Sequence, residues 1–251
     1  MTDIQWKEAS NYLKYYEEKG NSDNSIYEKA KCIRRFAKWL WEKEIMDNKE
    51  YRLINNHLQK YREGECEPRE ALTEEQKEHT LKKVKNPLFR MIVWFGWNFG
   101  LRAWELCNLL ISDVDFENKW VVVQWKTAKG RKSRKIPLNK NQERILKNWI
   151  NHLRNDIPVQ HDFVFYSITG KPLKHATLTH ILKKVQEEIG IHLYAHKLRY
   201  TYAVTLWRNG MDIYIISKML GHAKIETTER YLKVKEKEYL DKYRDSTKDT
   251  F

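Results

Sequence analysis

The segment Leu88 to Phe99, LFRMIVWFGWNF, is apolar nearly all the way round a helical wheel. A helix of that kind must be enclosed by other elements, so it marks the centre of a sizeable core. It is not a membrane span: its most apolar part, Met91 to Phe99, contains Asn98 and falls well short of the about 20 residues a span needs. Pro87 is placed to open the helix and Gly100 to stop it. At 251 residues the chain can surround such a helix with one large core or divide into two modest ones.

The flanking sequence favours division. Thr2 and Gln5 form a capping-box pattern, after which Ala9, Tyr12, Leu13 and Tyr16 recur at helical spacing until Gly20. A second helix is expected to begin at Ser25, with Glu28 three positions on and an apolar stripe of Ile26, Ala30, Ile33, Ala37 and Leu40. Tyr51, Ile54, Leu58 and Tyr61 mark a third. Lys29, Arg34, Arg35 and Lys38 give the second helix a basic face, with Arg34 and Arg35 as candidate contacts to a polyanion. Residues 1–63 therefore read as a small helical domain, and 64–72, which contain Gly64 and Pro68 and lack an apolar period, as a linker. Thr73 and Gln76 repeat the capping box and open the larger domain, 73–251.

Within that domain the β-branched and aromatic run WVVVQW, Trp120 to Trp125, predicts a strand paired with a second over Lys135 to Leu138, with Gly130 in the turn. The hairpin carries Lys126, Lys129, Arg131, Lys132, Arg134 and Lys135, cations that repel one another unless a polyanion neutralises them. A helix over 140–155, a brief strand at Phe163 to Tyr166 and a helix over Leu178 to Ile189 follow. The fold class is mainly α with a small antiparallel β-sheet. A net charge of +13 and a pI near 9.4 point to nucleic acid as the partner, ahead of an anionic membrane surface. Cys32, Cys66 and Cys107 are widely spaced and have no His or Cys at metal-ligand distance, which argues against disulfides and a zinc site. The N-terminus lacks the basic start and apolar middle of a secretory signal, so a cytoplasmic location is expected.

Chemistry concentrates in two places. In GLRAWELCNLL, Arg102 and Glu105 lie three apart at the start of a helix, where Glu105 can orient Arg102 and leave the rest of its fork for a phosphate; a structural ion pair is the competing interpretation. From Tyr194 to Leu232, His196 and Arg199 share one helical face, Asn209-Gly210 ends that helix and Asp212 is placed to cap the next. Gly221 stops this next helix, His222 follows at the turn, and Tyr231 sits in IETTERYL. Singly, each of these has an ordinary explanation as a solvated face, a helix cap or a half-buried ring.

Taken together, Arg102 in GLRAWEL, Lys129 in AKGRKSRKIPL, His196 and Arg199 in HKLRY, His222 in LGH and Tyr231 in TTERY resemble the tyrosine recombinase (phage integrase) family over roughly residues 66 to 235. Tyr200 stands where that family commonly has a second histidine, and the N-terminal helical domain is shorter than usual. The resemblance implies a two-domain clamp, core-binding domain plus catalytic domain, that cleaves and rejoins double-stranded DNA with no cofactor through a 3′-phosphotyrosyl intermediate. It implies Tyr231 as nucleophile, Arg102 and Arg199 on the non-bridging oxygens, His222 as a further donor, His196 as acid/base and Lys129 as general acid, with Lys126 and Lys132 as rivals for that last role. It further implies a monomer that assembles into a tetramer on two DNA sites, with the segment after Tyr231 as a candidate for contacts between subunits. A nicking-closing enzyme of the type IB topoisomerase kind, an idle DNA-binding accessory protein and an RNA-binding module are the alternatives.

Overall fold

The computed structural model describes residues 6–62, 70–124, 126, 132–156 and 159–232, with the backbone alone of 155–156 and 230–231. The Thr2 capping box, Cys66, most of the linker, the Gly130 turn with Lys129 and Arg131, and the segment after Leu232 lie outside the described residues. The chain divides into two compact units, Met1–Pro68 and Arg69–Phe251.

The first unit consists, among its described residues, of α1 (Trp6–Glu18), α2 (Asp23–Glu42) and α3 (Asn48–Leu58). The expected stripe is its core: Leu13, Ile26, Ala30, Ala37, Ile54 and Leu58 are buried together, with Ile33 partly covered. The start of α2 differs from expectation. Ser22, with extended backbone, is the cap and accepts the Ser25 N–H, so Ser25 lies inside the first turn. Arg34 is partly buried and donates from Nε to Asn55 Oδ1 on α3 at 3.1 Å, whereas Arg35 is exposed.

The second unit begins with α4 (Glu74–Lys83), whose Thr73/Gln76 capping box forms as the sequence predicts. Next comes α5 (Pro87–Phe99), with Pro87 in its first turn and Gly100 ending it at φ 59°. Leu88, Met91, Ile92, Val93, Trp94, Phe95, Trp97 and Phe99 are all buried, as an all-round apolar helix requires. It packs against α4, α8 (His175–Ile189) and α9 (Ala195–Arg208), and α6 (Ala103–Cys107), α7 (Lys140–Asn151), α10 (Ile213–Leu220) and α11 (Glu226–Leu232) complete the described α-helices of the unit. No helix among the described residues is long and apolar enough to cross a membrane.

The expected hairpin is β2 (Trp120–Val123) paired antiparallel with β3 (Arg134–Pro137), and the short β1 (Val114–Asp115) adds to the free edge of β2. The described sheet thus has the order β1-β2-β3. The strand expected at Phe163 to Tyr166 is absent. Leu110 and Pro172 make only isolated bridges to Phe163 and Tyr166, because no neighbouring segment runs alongside long enough to form a ladder. Its β-like composition serves the core instead: Val164, Phe165 and Tyr166 are buried, and Trp149 donates from its indole to the Val164 carbonyl at 3.1 Å. The helix expected over 140–155 ends at Asn151, and a 3-10 turn covers Leu153–Asp156.

Candidate active site

The site grows from the ends of two helices. Gly100 turns the chain left-handed after α5, and a Cβ there would lie 2.3 Å from Cδ1 of Tyr202, so the turn depends on glycine. Arg102 then stands at the N-cap of α6, and the Glu105 carboxylate folds back onto its backbone N–H at 2.8 Å. On the other side, Asp212 caps α10 by accepting the N–H groups of Tyr214 and Ile215, and Gly221 ends it at φ 68°. A helix end presents carbonyls without partners and a partial negative charge.

Guanidinium groups occupy those carbonyls. Arg134 Nε donates to the Met219 carbonyl at 2.7 Å, Arg199 Nη2 to Leu220 at 2.6 Å and Arg102 Nη2 to Gly221 at 3.1 Å. Arg199 also donates from Nη1 to the Gly100 carbonyl at 2.7 Å, so one side chain ties the two glycine turns together. Glu105, 1 % exposed, neutralises the centre. Its Oε1 accepts Arg102 Nη1 and Arg134 Nη1, each at 2.9 Å, its Oε2 accepts Arg134 Nη2 at 2.6 Å, and Arg199 Nη1 lies 3.9 Å from Oε2. Burial works to raise the Glu105 pKa, but the hydrogen bonds and charges of Arg134 and Arg102 outweigh it and hold the carboxyl at about 2. Three guanidiniums around one carboxylate and one helix terminus leave the cluster positive, and Arg102, with a quarter of its side chain exposed, is its outward face.

His222 follows Gly221. Burial first, then the charges of Arg199, Arg102, Arg134 and His196, push its pKa down to about 4, so the imidazole is neutral at pH 7. Nδ1 lies 2.7 Å from the Thr228 hydroxyl, a contact that fixes the orientation of the ring. Thr228 is fully buried and belongs to α11, the helix that carries Tyr231. His196 is exposed in the first turn of α9.

The sequence-predicted residues therefore separate into groups. The fold brings Arg102, Glu105, Arg199 and His222 together. His196 is near enough for its charge to act on His222, and α11 is joined to His222 through Thr228. Lys129 and Arg131 lie outside the described residues, and so does the Tyr231 side chain. Lys126, Lys132 and Lys135 are exposed. Arg134 departs from expectation: rather than facing outward with the hairpin cations, its side chain is only 8 % exposed and bound to Glu105. Its position was readable in principle. Strand residues two apart share a face, and Arg134 shares that of Ile136, which is buried. The Thr228 contact carried no comparable local signal. Among the described residues no group of three or more His, Cys, Asp or Glu side chains is placed to hold a metal ion.

Solved structures that share this architecture include two recombinases and a transposon integrase. An XerA recombinase covers 97% of this chain and 84% of its own at a TM-score of 0.61 and 23% identity. The Tn1549 transposon integrase in complex with circular intermediate DNA covers 98% and 87% at 0.75 and 20%. The XerH site-specific recombinase bound to palindromic difH substrate covers 96% and 72% at 0.69 and 21%. The fold is that of the tyrosine recombinases. The phage integrase family matches residues 70–238, two-thirds of the chain, and the protein belongs to it. It is a tyrosine-type site-specific recombinase, an enzyme that cleaves and rejoins DNA. Among its relatives is the tyrosine recombinase XerC of Staphylococcus aureus (strain USA300), 27% identical over 239 residues that span 93% of this chain and 78% of the relative.

Proposed function

We propose that the protein cleaves one strand of duplex DNA with Tyr231 as nucleophile and the guanidiniums of Arg102 and Arg199 on the scissile phosphate. The observation that carries this reading is their convergence. Residues 102 and 199, far apart in sequence, donate to the adjacent carbonyls of Gly221 and Leu220 beside one buried carboxylate, next to His222 and the helix that holds Tyr231. Binding alone would not call for a tyrosine on the helix that Thr228 joins to such a cluster.

In the proposed step the Tyr231 oxygen bonds to phosphorus, the bond from phosphorus to the 5′-oxygen breaks, and the product is a 3′-phosphotyrosyl enzyme with a free 5′-hydroxyl. A free phenol has a pKa of about 10, so a cationic surrounding is needed to favour its oxyanion. His196, exposed at the start of α9, takes the phenol proton. Arg102 and Arg199 stabilise the charge that builds on the non-bridging oxygens, and neutral His222 adds a further donor. Lys129 protonates the leaving 5′-oxygen, with Lys126 and Lys132 as alternatives on the same hairpin. Rejoining runs these steps in reverse, and no cofactor is invoked because the phosphotyrosyl ester conserves the bond energy.

Residues 1–63 act as the core-binding domain, 64–72 as linker and 73–251 as the catalytic domain. Double-stranded DNA is the partner, contacted by Lys126, Arg131, Lys132, Lys135, Arg35 and the partly committed Arg34. Exchange of strands takes place in a tetramer on two sites, in the cytoplasm. Incubation with a suicide DNA duplex tests the chemistry: the unaltered protein gives a denaturation-resistant protein–DNA adduct, and Tyr231→Phe gives none while its DNA affinity is retained. An adduct that survives in Tyr231→Phe assigns the nucleophile elsewhere.

A further inference from the structure

Arg134 has no part in the chemistry proposed above, yet Nε, Nη1 and Nη2 of its guanidinium are all bonded within the site. Both of its Nη atoms hold Glu105, at 2.9 and 2.6 Å, in the two-pronged geometry that only a guanidinium can offer a carboxylate. Its Nε caps the Met219 carbonyl at 2.7 Å. Its stem passes so close to the left-handed turn that a Cβ on Gly221 would lie 3.1 Å from Arg134 Cδ and 3.2 Å from Nη1. The Gly221 carbonyl in turn accepts Arg102 Nη2, and Glu105 Oε1 is shared between Arg102 and Arg134. Both groups that fix Arg102 are thus themselves fixed by Arg134.

We propose that Arg134 is the positioning residue of the active site: it locks Glu105 and the end of α10 in the one arrangement that aims Arg102 at the phosphate, and thereby makes β3, the return strand of the basic hairpin, a structural wall of the site. With Nε, Nη1 and Nη2 engaged by the Met219 carbonyl and the Glu105 carboxylate, Arg134 does this without touching DNA. Two consequences set it apart from a merely stabilising ion pair. First, its loss acts on the rate of bond breaking and leaves DNA affinity in place. Second, because it acts through Glu105, losses at the two positions overlap rather than add. The inference rests on the proposed Tyr231 chemistry, since it is read through that reaction.

The test is single-turnover cleavage of a suicide duplex, measured beside DNA binding by titration, for the unaltered protein, Arg134→Gln, Arg134→Lys, Glu105→Gln and the double variant Glu105→Gln/Arg134→Gln. Displacing Arg102 by about an ångström is expected to slow cleavage by Arg134→Gln roughly 100-fold. Its DNA dissociation constant should stay within about 3-fold, since no phosphate contact is lost. Arg134→Lys keeps the charge without the fork and falls between. The double variant cleaves no more slowly than the slower single variant. If Arg134→Gln unfolds, Arg134→Lys and the double variant, which removes the buried carboxylate together with its partner, still decide the matter. Cleavage at the unaltered rate by any folded Arg134 variant, a loss confined to affinity, or losses that multiply in the double variant would each overturn the inference. Absence of an adduct from the unaltered protein overturns the Tyr231 reading itself, and this inference with it.

Discussion

Arg134 and Lys135 are neighbours on β3, and the strand sends them to opposite fates. Arg134 turns inward with Ile136 and spends its charge on Glu105 and a helix terminus; Lys135 turns outward with Pro137, as Lys126 and Lys132 do on the rest of the described hairpin. The inner cluster holds charge at fixed positions, where low dielectric makes each contact strong and each missing partner costly. The outer rim holds charge in water, where it attracts a polyanion at long range and contributes little to the fold. One short stretch of basic sequence therefore holds two kinds of charge, one buried against a carboxylate and the other exposed to water, and only the side of the strand distinguishes them.

The largest effect that can break this contrast is at the centre of the inner cluster. Glu105→Leu leaves Arg102, Arg134 and Arg199 without their carboxylate, and removing one partner of a buried charge network costs about 3–5 kcal/mol. Urea unfolding measures it, and a loss below about 1 kcal/mol would place the inner cluster in the same energetic class as the rim.

Acid sharpens the contrast further, because the two titrating groups of the inner site fail in sequence. The folded-state pKa of His222 is depressed to about 4 from an ordinary value of about 6.5, so its contribution is complete above pH 6.5 and is lost as pH falls toward 4. Glu105 is depressed to about 2 from about 4.5, so its contribution is complete above pH 4.5 and is lost on falling toward 2, with a total of about 3 kcal/mol. The melting temperature should therefore fall in two overlapping windows below pH 6.5. Glu105→Gln removes the lower window and His222→Gln the upper. A melting temperature flat between pH 6.5 and 4 would deny that His222 is held neutral.

The smallest effect on the fold belongs to the rim. Lys135→Gln leaves the melting temperature unchanged and lowers the slope of log affinity against log salt by about 0.9 if that side chain neutralises one phosphate. An unchanged slope removes Lys135 from the DNA contact surface. A drop in melting temperature would instead show that the outward face of β3 belongs to the fold.

What could be read beforehand follows the range of the interaction. Thr73 with Gln76 and Asp212 before α10 satisfy N–H groups within a turn of themselves, so the sequence shows where those helices begin. Signals of composition alone were weaker. Ser25 looked like a cap because Glu28 follows, but Ser22 reached the position first; FVFY looked like a strand, but the segments beside it reach only single bridges and form no ladder.

The sequence by itself determined the helical stretches, the apolar axis of α5, the glycine stops at Gly100 and Gly221, and the residue types available for phosphate chemistry. These depend on backbone preference and periodicity, which act over a few residues. Only the tertiary structure decided that Arg134 faces Glu105, that Thr228 holds His222, and that the Met219, Leu220 and Gly221 carbonyls each receive a different arginine. Those pairings join groups separated by up to 119 positions, and they exist because packing around α5 brings two helix ends together where unpartnered carbonyls and buried cations satisfy one another.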